Sequence, residues 1–204
     1  MLTFYYGTMN SSKTAQALMT RFNYLQKDFD VLLLKPEIDT RYENGKNKVI
    51  ARIGLSADCI DFSKQDDLIK ICNENFNDKP LKIIIIDECQ FCTKNQIEQL
   101  KDLSLKYDCL CYGLLINFKS ELFEASKRLI ELADEIHEIK AVCRCGKKAT
   151  INARLCNGKI VTDGNEIELG AEDKYEAMCY FCYKEKIKKQ NENNLVSISK
   201  KAKI

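Results

Sequence analysis

The sequence predicts an α/β fold, a parallel sheet flanked by helices with a small ribbon module at the C-terminal end. Three observations predict it. Strand-like and helix-like segments alternate from Leu2 to about Val142, the pattern of a sheet covered on both faces. The runs DVLLLK (30–35) and KIIIID (82–87) are continuously apolar over a short length, as strands buried on both sides are. From Cys143 the helical period stops, and two close cysteine pairs frame a stretch of short β-prone pieces broken by Asn, Gly and Asp.

Each element has its own warrant. LTFYY (2–6) is a β-prone run ending at Gly7, and from Lys13 apolar residues recur at Ala15, Leu18, Met19, Phe22 and Leu25, one face of a helix. DVLLLK is the next strand. Residues 36–62, with the polar run ENGKNK, are expected to form a flap or hairpin. A helix is expected over 64–76, then a break from Asp78 to Pro80, then KIIIID, the most strand-like segment of the chain. Thr93 is placed to cap a helix bearing Ile97, Leu100 and Leu103. CLCYGLL (109–115) is predicted as a buried strand, FKSELFEASKRLIELA (118–133) as an amphipathic helix, and EIHEIKAV (135–142) as the last strand. No internal repeat is visible.

Bulk properties narrow the function. A chain of 204 residues suits one core with a small appended module. Lys+Arg 32 against Asp+Glu 30 leaves a formal net charge of +2, which supplies no global drive toward nucleic acid or anionic lipid. The clusters at Lys147-Lys148 and Lys184 to Lys189 lack interleaved aromatics and read as a solvated face. Apolar runs fall far short of the roughly 20 residues of a membrane span, and LTFYY leads straight into a polar loop rather than into a secretory leader. A cytoplasmic location with no membrane and no nucleic-acid partner is expected. Of 11 cysteines, Cys59, Cys72, Cys89, Cys92, Cys109, Cys111 and Cys156 are scattered and read as small buried hydrophobes. His137, the lone histidine, reads as a surface strand residue.

GTMNSSKT fits the phosphate-loop pattern G-x-x-x-x-G-K-[ST] except that Ser12 replaces the second glycine. Its setting, strand then polar loop then helix, is the one such a loop requires. Gly7, Thr8, Met9, Asn10, Ser11, Ser12, Lys13 and Thr14 are the candidate cradle for nucleotide phosphates, Lys13 supplying the mobile cation. Asp87, delivered by the apolar strand, is the candidate partner of Thr14 at magnesium. Glu88 beside it can polarise water, as an ATPase would, take a proton from a substrate alcohol, as a kinase would, or be a plain surface carboxylate. Cys143 and Cys145 with Cys179 and Cys182 offer four thiolates for a closed, tetrahedral, structural zinc, in a module of some 45 residues that is marginal without a metal.

Taken together, the form G-x-M-x-S-x-K-[ST], the DE-C-Q-F segment, the D-x-R of PEIDTRY, Y-G-L-x-x-x-F, the two-by-two cysteine ribbon and the DKY before the second pair resemble the cytosolic-type (type II) thymidine kinases, from Leu2 to about Lys186. The resemblance implies a P-loop (RecA-like) kinase domain over 1–142, a zinc ribbon with a substrate-covering lasso loop over 143–186, and a flexible Lys/Asn-rich tail over 187–204. It implies transfer of the ATP γ-phosphate to the 5′-hydroxyl of thymidine or deoxyuridine in nucleotide salvage, with Mg²⁺ and structural Zn²⁺, dTTP as feedback inhibitor and a homotetramer. Glu88 then matches the family's general base, with Lys13 and Arg41 beside it in catalysis. Met9, Asp39, Arg41, Phe91, Leu114, Phe118, Phe123, Asn152, Gly170 and Tyr175 match its nucleoside site, the lasso pinned at both ends by the metal. Leu115 and Asn117 stand where many relatives carry Arg and Asp. Competing readings are a kinase of another deoxynucleoside, a nucleotide-dependent nucleic-acid binder with a zinc-ribbon reader, and an ATP sensor; the last two make no nucleoside monophosphate.

Overall fold

A computed structural model of the protein describes residues 1–37, 47–164 and 173–201. Two compact units divide the chain: Met1–Gly7, Ser12–Leu115 and Leu122–Ile139 form the first, and Thr8–Ser11, Ile116–Glu121 and Lys140–Ile204 the second. Two loop segments that precede the ribbon in the chain, 8–11 and 116–121, therefore belong with it.

In the first unit, β1 (Leu2–Tyr6), β2 (Asp30–Pro36), β5 (Ile60–Phe62), β6 (Lys82–Ile86), β7 (Asp108–Gly113) and β8 (Glu135–Glu138) make a six-stranded sheet in the order β5-β2-β6-β7-β1-β8. Every pairing in it is parallel. β3 (Lys48–Ile50) and β4 (Ser56–Asp58) pair as the hairpin expected within 36–62, while β5 from the same stretch joins the main sheet. Alternate side chains feed opposite faces. Ile84 and Ile86 pack with α2 (Leu68–Asn75), α3 (Lys94–Leu103) and α4 (Glu124–Leu132), whereas Ile83 and Ile85 pack with α1 (Lys13–Leu25) and the hairpin. This double burial is why the strand is apolar at every position from Ile83 to Ile86. No helix of the described residues is long and apolar enough to cross a membrane.

Thr93 caps α3 with a full capping box, its side chain accepting from the Gln96 N–H and the Gln96 side chain accepting from the Thr93 N–H. Two expectations are corrected. The buried face of α1 is Ala15, Ala17 and Leu18, and Met19, Phe22 and Leu25 are exposed, because small side chains let the helix lie close on the sheet. The predicted helix over 118–133 starts only at Glu124. Before it, the Asn117 side chain accepts the N–H groups of Lys119 and Glu121, and Ser120 turns at φ 66; that local capture of backbone donors competes with a helix.

The second unit is built on β9 (Ile151–Cys156), flanked antiparallel by β10 (Lys159–Val161) and β11 (Asp173–Met178). α5 (Tyr180–Lys201) follows, so a helix occupies residues that read as a tail in the sequence.

Candidate active site

Gly7 ends β1 and donates its N–H to the Gly113 carbonyl at 3.3 Å. Asn10 and Ser12 both take left-handed conformations, at φ 63 and φ 65. Ser12 thus adopts the backbone a glycine would supply more cheaply, at a strain of about 1 kcal/mol. It is the N-cap of α1, makes no side-chain cap bond, and no acidic residue stands in the first turn. The first-turn N–H groups have no carbonyl partners within the helix, and they mark its positive dipole end. Lys13 is buried and its Nζ donates to the Gly7 carbonyl at 3.3 Å, folding the loop back on its own start.

Asp87 and Glu88 follow β6 directly, 3% and 6% exposed. Carboxylates are rarely this buried without a task or a partner. The Asp87 N–H donates to the Leu34 carbonyl at 3.0 Å, continuing the sheet's bonding for one residue. Glu88 then breaks away at φ 53 and leads into a 3₁₀ turn over Cys89–Phe91. In that turn Gln90 donates from Nε2 to Glu88 Oε2 at 2.6 Å and accepts the Leu114 N–H on Oε1 at 2.9 Å. The Gly7–Thr14 loop leaves β1 and the doublet leaves β6, both at carboxyl ends, with β7 paired between them, the edge where ligands bind in such sheets.

The residues matched to a nucleoside site fall in both units. In the first, Phe91 and Phe123 meet edge to face at 6.0 Å between centroids, and the Leu114 carbonyl accepts the Ser126 hydroxyl at 2.6 Å. In the second, the Asn152 side chain accepts the Met9 N–H at 2.8 Å and donates to the Ile116 carbonyl at 2.9 Å. Its amide therefore ties Met9 to the 116–121 loop. Buried Arg154 lies over the Phe118 ring at 5.2 Å and is paired in register with Tyr175. Asp39, Arg41 and Gly170 lie outside the described residues.

Cys143, Cys145, Cys179 and Cys182 bring four Sγ atoms within 4.8 Å of one another. Gly146, at φ 82, closes the first knuckle by donating its N–H to the Cys143 carbonyl at 2.9 Å. In the second the Cys182 N–H reaches Cys179 Sγ at 3.5 Å. Cys145 and Cys179 Sγ are 3.6 Å apart; tetrahedral zinc with bonds of about 2.3 Å sets its sulfurs about 3.8 Å apart, so the group fits. Thiols this close share their protons. Backbone hydrogen bonds at Cys145 and Cys179 bring the Cys143 thiol down to about 6, while side-chain bonds with Cys145 and Cys179 push Cys182 up to about 12. The core cysteines differ: burial pushes Cys72 to about 12 and Cys89 and Cys92 well up, as inert apolar packing requires.

A family model described as thymidine kinase matches residues 1–183. A thymidine kinase of Pasteurella multocida is 42% identical over 189 residues, covering 91% of this chain and 97% of that one. That of Rhodopirellula baltica is 36% identical over 197 residues, covering 95% and 92%, and that of Photorhabdus laumondii 38% identical over 201 residues, covering 97% and 98%. The chain belongs to the thymidine kinase family. Within this member of the thymidine kinase family, reading the sequence overlooked two polar side chains. Gln90 was visible in DECQF, but its partners lie two residues back and 24 residues ahead. Arg154 sits at an inward position of β9, where a buried arginine is the signal.

Proposed function

We propose that the protein transfers the γ-phosphoryl group of ATP to the 5′-hydroxyl of thymidine, and of deoxyuridine, yielding the monophosphate for nucleotide salvage. The observation that carries this reading is the buried Asp87-Glu88 doublet beyond β6 on the same sheet edge as the Gly7–Thr14 loop. Membership of the thymidine kinase family supports the nucleoside as acceptor. The first-turn N–H groups of α1 and Lys13 cradle the donor phosphates, and the left-handed Ser12 and Asn10 give the loop the concavity this needs. Thr14 and Asp87 would hold Mg²⁺, which neutralises phosphate charge when bound. Glu88 accepts the proton of the 5′-hydroxyl, a step worth about 10²–10⁴ in rate. Arg41 assists at the transferred group and Asp39 on the nucleoside side, as the resemblance implies. Met9, Phe91, Leu114, Phe118, Phe123, Asn152, Gly170 and Tyr175 supply nucleoside contacts. Structural zinc on the four cysteines holds the ribbon. Feedback by dTTP and a homotetramer belong to the same proposal, and the exposed Met19, Phe22 and Leu25 of α1 support self-association.

Incubation with ATP, Mg²⁺ and a panel of nucleosides tests it. Thymidine and deoxyuridine are expected to yield monophosphate, and Glu88→Gln is expected to bind thymidine while losing about 10²-fold or more in kcat. Phosphate release without nucleoside, transfer to another deoxynucleoside alone, or near-intact turnover in Glu88→Gln each overturns a named part of the proposal.

A further inference from the structure

Resting on the reading of Glu88 as the base, we infer that Gln90 is a positioning residue that sets where the Glu88 carboxylate stands relative to Gly7 at the end of β1.

Four features support it. First, the orientation of the amide is settled by chemistry: the Leu114 main-chain N–H can only donate, so Oε1 must face it and the NH₂ must face Glu88. Second, the contact to Glu88 is short, 2.6 Å, and Gln90 is 3% exposed, so this bond is shielded from water. Third, Glu88 holds a left-handed conformation that a residue with a Cβ rarely adopts. Such a conformation persists where the surroundings over-determine it, and the side-chain bond from two residues on does so.

The fourth feature concerns Gly113. A Cβ there would stand 2.6 Å from Cys89 Sγ, 2.7 Å from Gln90 Oε1 and 3.2 Å from the Gln90 nitrogen. Glycine is what lets the turn after β6 close onto β7. The same strand end accepts the Gly7 N–H on the Gly113 carbonyl and presents the Leu114 N–H to Gln90. The dipeptide Gly113-Leu114 at the end of β7 is thereby bonded on one side to Gly7 and on the other, through Gln90, to Glu88. Ser126, fully buried, fixes the Leu114 carbonyl from α4 and so stiffens the anchor. A misplacement near 1 Å of a catalytic group can cost about 10²-fold in rate, and this linkage is what prevents it.

The experiment compares kcat and KM for thymidine in the full chain for Gln90→Met, which keeps volume and removes both hydrogen bonds, Gln90→Glu, which keeps the acceptor for Leu114 and sets a second carboxylate against Glu88, and Glu88→Gln, alone and combined with Gln90→Met. Gln90→Met and Gln90→Glu are each expected to lower kcat by about 10- to 100-fold with KM within about twofold. In the Glu88→Gln background, Gln90→Met is expected to remove less than about twofold more, since a positioned group that is no longer a base has nothing further to lose. Full, multiplicative losses in the double variant, a rise in KM at constant kcat, or wild-type kcat in Gln90→Glu would overturn the inference. Thymidine binding measured by calorimetry keeps the comparison to folded protein, and if Gln90→Met does not fold, the Gln90→Glu result decides. Failure of the base reading is separate: it would appear as retained turnover in Glu88→Gln alone.

Discussion

The two units of this chain are held together by different chemistry. The core of the first is aliphatic and continuous: Ile83, Ile84, Ile85 and Ile86 are all at 0% exposure, packed between α2, α3 and α4 on one face and α1 with the hairpin on the other. That of the second is Ala141, Ala149, Ala153 and Ala177 with Ile151, Met178 and two of the four clustered cysteines. Each methyl-sized side chain contributes little apolar area, about 25 cal/mol per Å² removed from water. The difference teaches where each part of the function can be built. Buried carboxylates and a left-handed turn need rigid surroundings, which the parallel sheet supplies from apolar burial alone; on the proposed reading, the ribbon draws its rigidity from a metal on four sulfurs.

Metal removal is expected to break that comparison most sharply. Structural zinc in small ribbons carries about 10–16 kcal/mol of apparent binding free energy. Chelation, or Cys182→Ser, is therefore expected to abolish hydrogen-exchange protection in β9, β10 and β11 while β1, β6 and β7 keep theirs. Elemental analysis of the native protein is expected to find about one zinc per chain; protection of β9 that survives in metal-free protein would refute the contrast. Next in size, Ile84→Ala empties a site between β6 and the α2–α4 face and is expected to cost about 2–5 kcal/mol, read as a lower denaturant midpoint at unchanged slope.

The smallest effect sharpens the account of the first unit. Asp134 accepts the Leu2 N–H at 2.7 Å and pairs with Lys101 at 2.5 Å, pinning the start of β1. The bond from Lys101, then that from Leu2, holds its carboxyl below the usual range. A carboxyl lowered on folding stabilises above its unfolded value, near 4, and loses that contribution as pH falls through the folded one. Asp134→Asn should accordingly be less stable than the parent at pH 7, by an amount that shrinks in acid until the two thermal midpoints meet. A difference that is constant with pH would assign the effect to packing.

Much of the candidate site was legible because its signals are local. The Gly7–Thr14 loop, the doublet after an all-apolar strand and the spacing of two cysteine pairs each depend on residues close in the chain, and the Thr93 cap does too. What was not legible depended on neighbours across space. The period that set Met19, Phe22 and Leu25 on the inner face of α1 was a true helical stripe, but the sheet accepts the adjacent alanines instead. FKSELF looked helical until the Asn117 side chain took the backbone donors a first turn would need.

By itself, the amino-acid sequence determined the alternation of strands and helices, the Gly7–Thr14 loop with its departure at Ser12, and the four sulfurs, since backbone propensity, apolar continuity and motif spacing all act over a few residues. Tertiary structure alone decided which face of α1 is covered, that Gln90 spans from Glu88 to Leu114, and that Asn152 ties Met9 to Ile116. A polar side chain chooses its partner from whatever the fold brings within 3 Å, and no local pattern records that choice.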